Sequence, residues 1–271
     1  MLDSYFFVPG DKQKYLDKVA TLEADFIVID LEDAVALQNK QAALALVLSL
    51  TPEKKHFVRI PFLEDCYSKE QVSQLIIQYE GRIVLPKVSC LEEVQSVVAL
   101  VPTISLQLIV LVENPTCFIH LPAILNTYSS QIHAVGFGSH DFCSITGIKH
   151  TLAHLAFYKR QLILITKAYK TSYLDGVDLN LTDFAAFNEE ALFAFEIGAS
   201  GKFLIHPKQI AALKNIPFMS ESEMEQLTAV YEKVKDIPEE NIEVHTIDGK
   251  VYEKPHIIRI KHLMHKIQQR Y

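Results

Sequence analysis

Residues 108–114 read LIVLVEN and residues 134–141 read AVGFGSHD, two short apolar runs that each reach a carboxylate within a few residues. Both runs are rich in aliphatic residues, carry no charge before the acid, and are far too short to cross a bilayer, which marks them as buried parallel strands. Parallel strands deliver their C-terminal ends to one face of a sheet, so Glu113 and Asp141 are expected to converge there. Two carboxylates meeting at an apolar rim need a cation, and oxygen ligands suit Mg²⁺. Either acid taken alone reads equally well as a helix N-cap or a salt-bridge partner.

The same rhythm repeats on both sides of this pair. Tyr5–Val8 is a strand closed by Pro9-Gly10, and helical spacing follows over Lys14–Ala24. Phe26–Asp30, Phe57–Ile60 and Ile83–Leu85 are further strands, separated by helical patterns over Gln38–Leu50 and Gln71–Tyr79. Leu91–Leu100 precedes the strand ending at Glu113, and Pro122–Tyr128 is a short helix. Asp141–Thr146 reads as a loop or one helical turn, and Leu152–Ala168 as a long helix. Ser172–Asp175, Asn188–Ile197 and Lys202–Ile205 complete the series. The strand–helix units number eight, which predicts a closed (β/α)8 TIM barrel over residues 1–218 rather than an open doubly wound sheet. No GxGxxG follows the first strand, which disfavours a dinucleotide site. Residues 219–271 break the pattern. Ser220 with Glu223 forms a capping box, Asp248-Gly249 a hairpin turn, and Pro255–Gln268 a last helix, together an extension that covers the barrel mouth or a neighbouring subunit.

Polar residues fall in one relative position. Glu32, Lys87, Glu113, Asp141, Asp175 and His206 sit at or just past the C-terminal ends of predicted strands, and Arg59 lies one residue inside its own. That is the face on which barrel enzymes carry their chemistry. The 271 residues carry a net charge of −7 and no stripe of Lys/Arg with interleaved aromatics, which argues against nucleic acid as a partner. No run approaches a membrane span, the start MLDSYFF lacks a basic n-region, and the four cysteines form no CxxC pair. A cytoplasmic protein with free thiols is expected.

The motifs FFVPGDK (6–12), DFIVIDLEDAV (25–35), VRI (58–60), VLPKV (84–88), VEN (112–114), GFGSHD (136–141), FYKRQL (157–162), GKFLIHPKQI (201–210) and DGKVYEKP (248–255) occur in an order that resembles the citrate lyase beta-subunit-like branch of the HpcH/HpaI aldolase superfamily. The resemblance covers nearly the whole chain. It implies a Mg²⁺-dependent lyase that cleaves or forms a carbon–carbon bond between an acyl thioester and a 2-keto acid. Glu113 and Asp141 take the positions of the metal ligands, and Arg59 that of the arginine gripping substrate oxygens. Glu32 and Asp33 are implied to hold metal-bound water or orient Arg59, with Asp30 at the same mouth. Lys87 adds positive potential. Gly136, Phe137 and Gly138 are expected to turn backbone amides toward the substrate carboxylate. His206 reads as a structural turn residue. The acid–base group of relatives is an Asp from the C-terminal segment of an adjacent subunit, and Glu253 stands at its place, which implies a homo-oligomer, a trimer in relatives.

Several positions depart from that family. Asp3-Ser4 replaces Arg-Ser before the first strand, Tyr15 replaces an arginine after the VPG loop, Pro61 replaces the Asn of VRIN, and GSHD stands for GAED. The lost basic residues leave open a citryl-, citramalyl- or malyl-CoA-like thioester, or a keto acid handled without CoA in a specialised biosynthetic pathway. A catalytically inactive ligand-binding barrel is the third reading, and the retained Glu113, Asp141 and Arg59 count against it.

Overall fold

A computed structural model describes residues 2–62 and 66–268, which fall into two compact units, one over Leu2–Ile216 and a second from Pro217 onward. Eight parallel strands close the first unit into a barrel in sequence order: β1 Asp3–Pro9, β2 Phe26–Asp30, β3 His56–Arg59, β4 Arg82–Leu85, β5 Gln107–Val112, β6 Ile132–Phe137, β7 Ser172–Asp175 and β8 Gly201–Leu204. Closure is direct, with Tyr5 of β1 in register with Phe26 of β2 on one side and Phe203 of β8 on the other. Alternate residues point inward and fill the barrel, so that Tyr5, Val28, Phe57, Val84, Ile109, Leu111, Ala134, Leu174 and Phe203 form one buried cluster. At its lower end the buried Tyr5 hydroxyl meets Nε2 of the half-buried His133 at 2.8 Å, which gives the hydroxyl its partner.

Helices follow the strands: α1 Gln13–Leu16, α2 Lys40–Leu48, α3 Lys69–Gln78, α4 Leu91–Leu100, α5 Pro115–Tyr128, α6 Ser139–Thr146, α7 Leu152–Ala168, α8 Phe184–Ile197 and α9 Pro207–Asn215. α8 starts four residues before the expected Asn188 and α9 has no counterpart in the sequence reading, while three others differ for local reasons. The helical spacing over 14–24 breaks into the single turn of α1 and a 3-10 turn at Val19–Thr21. α5 starts seven residues earlier than predicted, because the Asn114 side chain accepts the Cys117 N–H at 2.7 Å and Pro115 occupies the first position, where its missing N–H costs nothing. α6 is a full eight-residue helix ending at Gly147, whose φ of +73° closes it. His206 caps α9, its Nδ1 accepting the Lys208 N–H at 3.2 Å.

The second unit has its own small core. α10 Glu221–Val234, the hairpin of β9 His245–Ile247 with β10 Lys250–Tyr252, and α11 Lys254–Gln268 bury Val230, Val234, Ile242, Ile247, Ile257, Ile260 and Met264 together. Asp248 and Gly249 both have positive φ, as a two-residue type I′ turn requires. Among the described residues no helix is long and apolar enough to cross a membrane, and all four cysteines are free thiols.

Candidate active site

At the C-terminal end of the strands lies a cavity of about 350 Å³ whose wall includes Asp30, Asp33, Arg59, Glu113, Ser139, His140 and Asp141. Glu113 directly follows β5, and Asp141 stands in the first turn of α6, three residues beyond Gly138. Glu113 is buried at 3% exposure, and its carboxyl is pushed up to about 7. Burial is the main cause, and the charges of Glu32 and Asp141 add to it against the pull of the Lys87 amide and Arg59. A hard cation beside Glu113 would offset both the burial and the neighbouring negative charge that raise it.

The seat of Glu113 is built from backbone. Its Oε2 accepts the Lys87 N–H at 2.6 Å, and Lys87 adopts a left-handed φ of +55° at that point. Gly138 makes the other wall, since a Cβ there would lie 2.2 Å from Glu113 Cγ. This corrects the expectation for the glycines. The Gly138 amide donates to the Val112 carbonyl at 3.0 Å and is not free for substrate. Gly136 lies inside the β6 ladder, where a Cβ would strike Phe203 and Leu111 at 2.5 and 2.6 Å, and it is absent from the cavity wall. Both glycines make room for neighbouring side chains, whereas Phe137 does line the cavity and packs its ring on Phe142 at 5.4 Å.

Arg59 is held from three sides. Its Nε and Nη2 donate to the two carboxylate oxygens of Asp30 at 2.8 and 2.6 Å, Nη1 faces Glu32 Oε2 at 3.1 Å, and the Phe7 ring lies 4.9 Å from its Cζ. Asp30, not Glu32 or Asp33, is therefore the closest orienting partner. A forked pair of this kind fixes the guanidinium plane and still leaves N–H groups of its five for a ligand. Glu32 is buried between Arg59 and the Lys87 ammonium, while Asp33 is half-exposed, lines the cavity, and meets Lys87 Nζ at 3.2 Å. Against its usual carboxylate range Glu32 is raised, mainly by burial, whereas for Asp33 burial is outweighed by Glu32, Arg59 and Lys87, which hold it low. Glu253 lies in the second unit, its N–H bonded to His256 Nδ1 at 3.2 Å.

Two polar arrangements had no signal in local sequence. Lys159 of α7, Glu190 of α8, Asp175 of β7 and Lys202 of β8 form a buried ion quartet behind the barrel wall, with Lys159 Nζ 2.8 Å from Asp175 Oδ1 and Lys202 Nζ 2.9 Å from Oδ2. Its members are far apart in sequence: FYKRQL and GKFLIHP hold the two lysines and Asp175 stands out at its strand end, but nothing local pairs them with one another or with Glu190. The other arrangement joins Ser139, His140 and His150, described below.

The donors fit Mg²⁺ chemically. Glu113 and Asp141 offer hard oxygen donors, and among the described residues no group of three or more His, Cys, Asp or Glu side chains is placed to hold a metal ion. A two-carboxylate seat that leaves the remaining positions to water and substrate is how Mg²⁺ is commonly held.

Comparison with known proteins gives a consistent result. The profile of the HpcH/HpaI aldolase/citrate lyase family matches residues 3–207. The chain is similar to a (3S)-malyl-CoA thioesterase of Cereibacter sphaeroides (strain ATCC 17029 / ATH 2.4.9), at 26% identity over 98% of this chain and 94% of that protein. It is also similar to an L-malyl-CoA/beta-methylmalyl-CoA lyase of Rhodobacter capsulatus, at 26% identity over 84% of each. Its fold matches the crystal structure of CitE from Mycobacterium tuberculosis in complex with magnesium, acetoacetate and coenzyme A, with a TM-score of 0.76, 20% identity, and coverage of 96% of this chain and 98% of that one.

Proposed function

The chain belongs to the HpcH/HpaI aldolase/citrate lyase family, and from that premise we propose that it is a Mg²⁺-dependent carbon–carbon lyase acting on a citryl-, citramalyl- or malyl-CoA-like thioester. The observation that carries this reading is the presence of Glu113, Asp141 and the Arg59 guanidinium in the wall of one cavity. Glu113 and Asp141 would hold the ion, which when bound supplies Lewis-acid polarisation of the hydroxy-acid oxygens. Arg59, locked by Asp30, donates its remaining N–H groups to the oxygen on which negative charge grows as the carbon–carbon bond breaks. Asp30, Glu32 and Asp33 face Arg59 and Lys87, three carboxylates against two cations, so the mouth carries negative charge beyond that of the metal-binding pair. A second cavity of about 410 Å³, lined by Tyr15, Lys18, Leu22 and Pro207, shares Phe7, Pro9 and Ile205 with the first and gives a thioester arm an apolar path away from the reacting carbon. In this reading the chain works as a homo-oligomer, and Glu253 of an adjacent subunit protonates the enolate carbon.

The keto-acid reading without CoA keeps one specific support. Among the residues lining the two cavities, Arg59 and Lys18 are the only Lys or Arg side chains, a sparse set for the phosphates of a nucleotide. Calorimetric Mg²⁺ titration, with cleavage of malyl-CoA followed alongside, tests both readings. Glu113→Gln and Asp141→Asn are expected to abolish metal binding and cleavage with the fold intact by circular dichroism. Persistence of both in either variant sinks the lyase proposal, and metal-dependent binding of a keto acid without any response to CoA thioesters selects the second reading.

A further inference from the structure

Ser139 occupies the cavity wall between Gly138 and Asp141 and is buried at 2% exposure, yet its hydroxyl is not bonded into the barrel. Ser139 Oγ lies 2.9 Å from His150 Nε2, and His150 sits outside, in the exposed segment between α6 and α7. Gly176 leaves the space for this contact, since a Cβ there would come within 2.8 Å of Ser139 Oγ. The His140 ring, also in the cavity wall, stacks flat on His150 with centroids 3.9 Å apart and planes 8° apart, which fixes the imidazole that faces Ser139. A buried hydroxyl on the cavity side bonded to an exposed imidazole on the solvent side is a path along which a proton can cross the wall in either direction.

Cleavage of a 3-hydroxyacyl thioester needs two proton transfers at two places. The hydroxyl beside the metal pair must lose its proton, and the enolate carbon must gain one. The carboxylates near the first place are committed: Asp30 and Glu32 to Arg59, Asp33 to Lys87, Glu113 and Asp141 to the ion under the proposed function. We infer that Ser139 and His150 form a proton relay that takes up the hydroxyl proton of the bound hydroxy acid and delivers it to solvent, an inference that rests on the lyase reading above. In the cleavage direction the substrate O–H proton passes to Ser139 Oγ as the Ser139 proton passes to His150 Nε2. The O–H electron pair becomes the carbonyl of the departing keto acid, and the carbon–carbon pair becomes the enolate, which takes its proton from the separate acid. The imidazolium then returns its proton to water. Ser139 touches the substrate, and His150 acts through it. The groups facing His150 are His140 on α6, Lys159 on α7 and Glu190 on α8. Burial, then His140, holds its imidazole below the ordinary histidine range against the opposing charge of Glu190, so it is neutral and able to accept at neutral pH.

His150→Ala in the full chain, assayed for malyl-CoA cleavage with Mg²⁺, is expected to lose kcat by about 10²- to 10⁴-fold, with Mg²⁺ affinity within about twofold of wild type, the usual scatter for a site untouched. Imidazole added to the solution is expected to restore at least about tenfold of that loss, because the position is exposed and small bases can fill it. Ser139→Ala is expected to show a comparable loss that imidazole does not restore. A His150→Ala enzyme with near-wild-type kcat, or one whose defect ignores imidazole, overturns the relay while wild-type cleavage and metal binding still support the lyase reading. A wild-type chain that cleaves no such thioester in Mg²⁺ overturns both.

Discussion

The main-chain nitrogen of Lys87 lies 2.6 Å from Glu113 Oε2, and it reaches that position only because Lys87 takes a left-handed φ of +55°. A non-glycine residue in that region costs of order 1–3 kcal/mol unless its surroundings hold it there. Here the holding contact is a charge-assisted bond to one of the two proposed metal ligands. Lys87→Pro deletes the N–H and forces a negative φ. It is expected to weaken Mg²⁺ binding by about 10- to 100-fold, matching the 1.5–3 kcal/mol of a hydrogen bond to a charged group. Lys87→Gly keeps the amide and relieves the strain, and its affinity is expected to fall much less. Isothermal titration of both variants checks the contrast.

Glu113 makes metal binding depend on pH. Its carboxyl is raised to about 7, with burial the first cause, so in the metal-free protein it holds a proton that must leave when an ion binds. Mg²⁺ affinity is expected to climb about tenfold per pH unit below 7 and to level off above it. The sign for stability is opposite. A carboxyl whose folded value exceeds its unfolded value of about 4.3 contributes stability below that unfolded value, which is lost as pH rises through about 7. Glu113→Gln removes the charge while keeping an acceptor for Lys87, and the metal-free variant is expected to melt above wild type at pH 8 and not at pH 4.5. Thermal scans in a chelating buffer read this directly.

The barrel was legible because each strand–helix unit carries its own apolar pattern, and Glu113 and Asp141 reach one cavity wall because β5 and β6 run parallel and α6 starts just past β6. Local rules failed where side chains supply what periodicity does not show. The Asn114 cap extends α5 backward through a stretch whose Pro122 reads as a helix start. The role of Gly138 was misread for a related reason: a glycine near a ligand loop suggests a free amide, but this amide is bonded to Val112 and the missing Cβ serves Glu113. The Asp30 fork on Arg59 and the Ser139–His150 contact depend on rotamers and on tertiary neighbours, which have no periodic trace in the chain.

Gly138→Ala tests the steric half of the Glu113 seat. The added methyl would stand 2.2 Å from Glu113 Cγ and 2.8 Å from Oε1, so the Glu113 side chain must leave its present position. Metal affinity is expected to drop by at least about tenfold, with a stability cost of about 1–3 kcal/mol typical of overpacking. Titration and thermal denaturation of one preparation separate the two effects.

Arg59→Lys removes the fork that Asp30 grips through both oxygens. A lysine ammonium reaches one oxygen at a time and lacks the planar donors. The variant is expected to keep Mg²⁺ affinity within a few-fold and to lose kcat for thioester cleavage by about 10²–10³, the usual cost of deleting one oxyanion donor. An equal fall in metal affinity would instead assign Arg59 to the ion's seat, and steady-state kinetics beside titration tells the two apart.

The buried quartet bears on stability rather than chemistry. Asp175 meets both Lys159 and Lys202, and Lys202 also donates to the Gly176 carbonyl at 2.7 Å, next to Val177 in the cavity wall. Although burial opposes it, the two ammonium groups hold the Asp175 carboxyl down to about 2. A carboxylate depressed in this way contributes stability above its unfolded value of about 3.9, and that contribution is lost as pH falls toward about 2. Asp175→Asn strands two ammonium groups with Glu190 alone and is expected to cost about 3–5 kcal/mol near neutral pH, as for a broken buried pair. The double variant Asp175→Leu with Lys202→Met removes one charge of each sign and is expected to recover most of that loss. Urea unfolding of the two variants decides between a paired network, in which the double is the more stable, and independent contributions, in which the losses add.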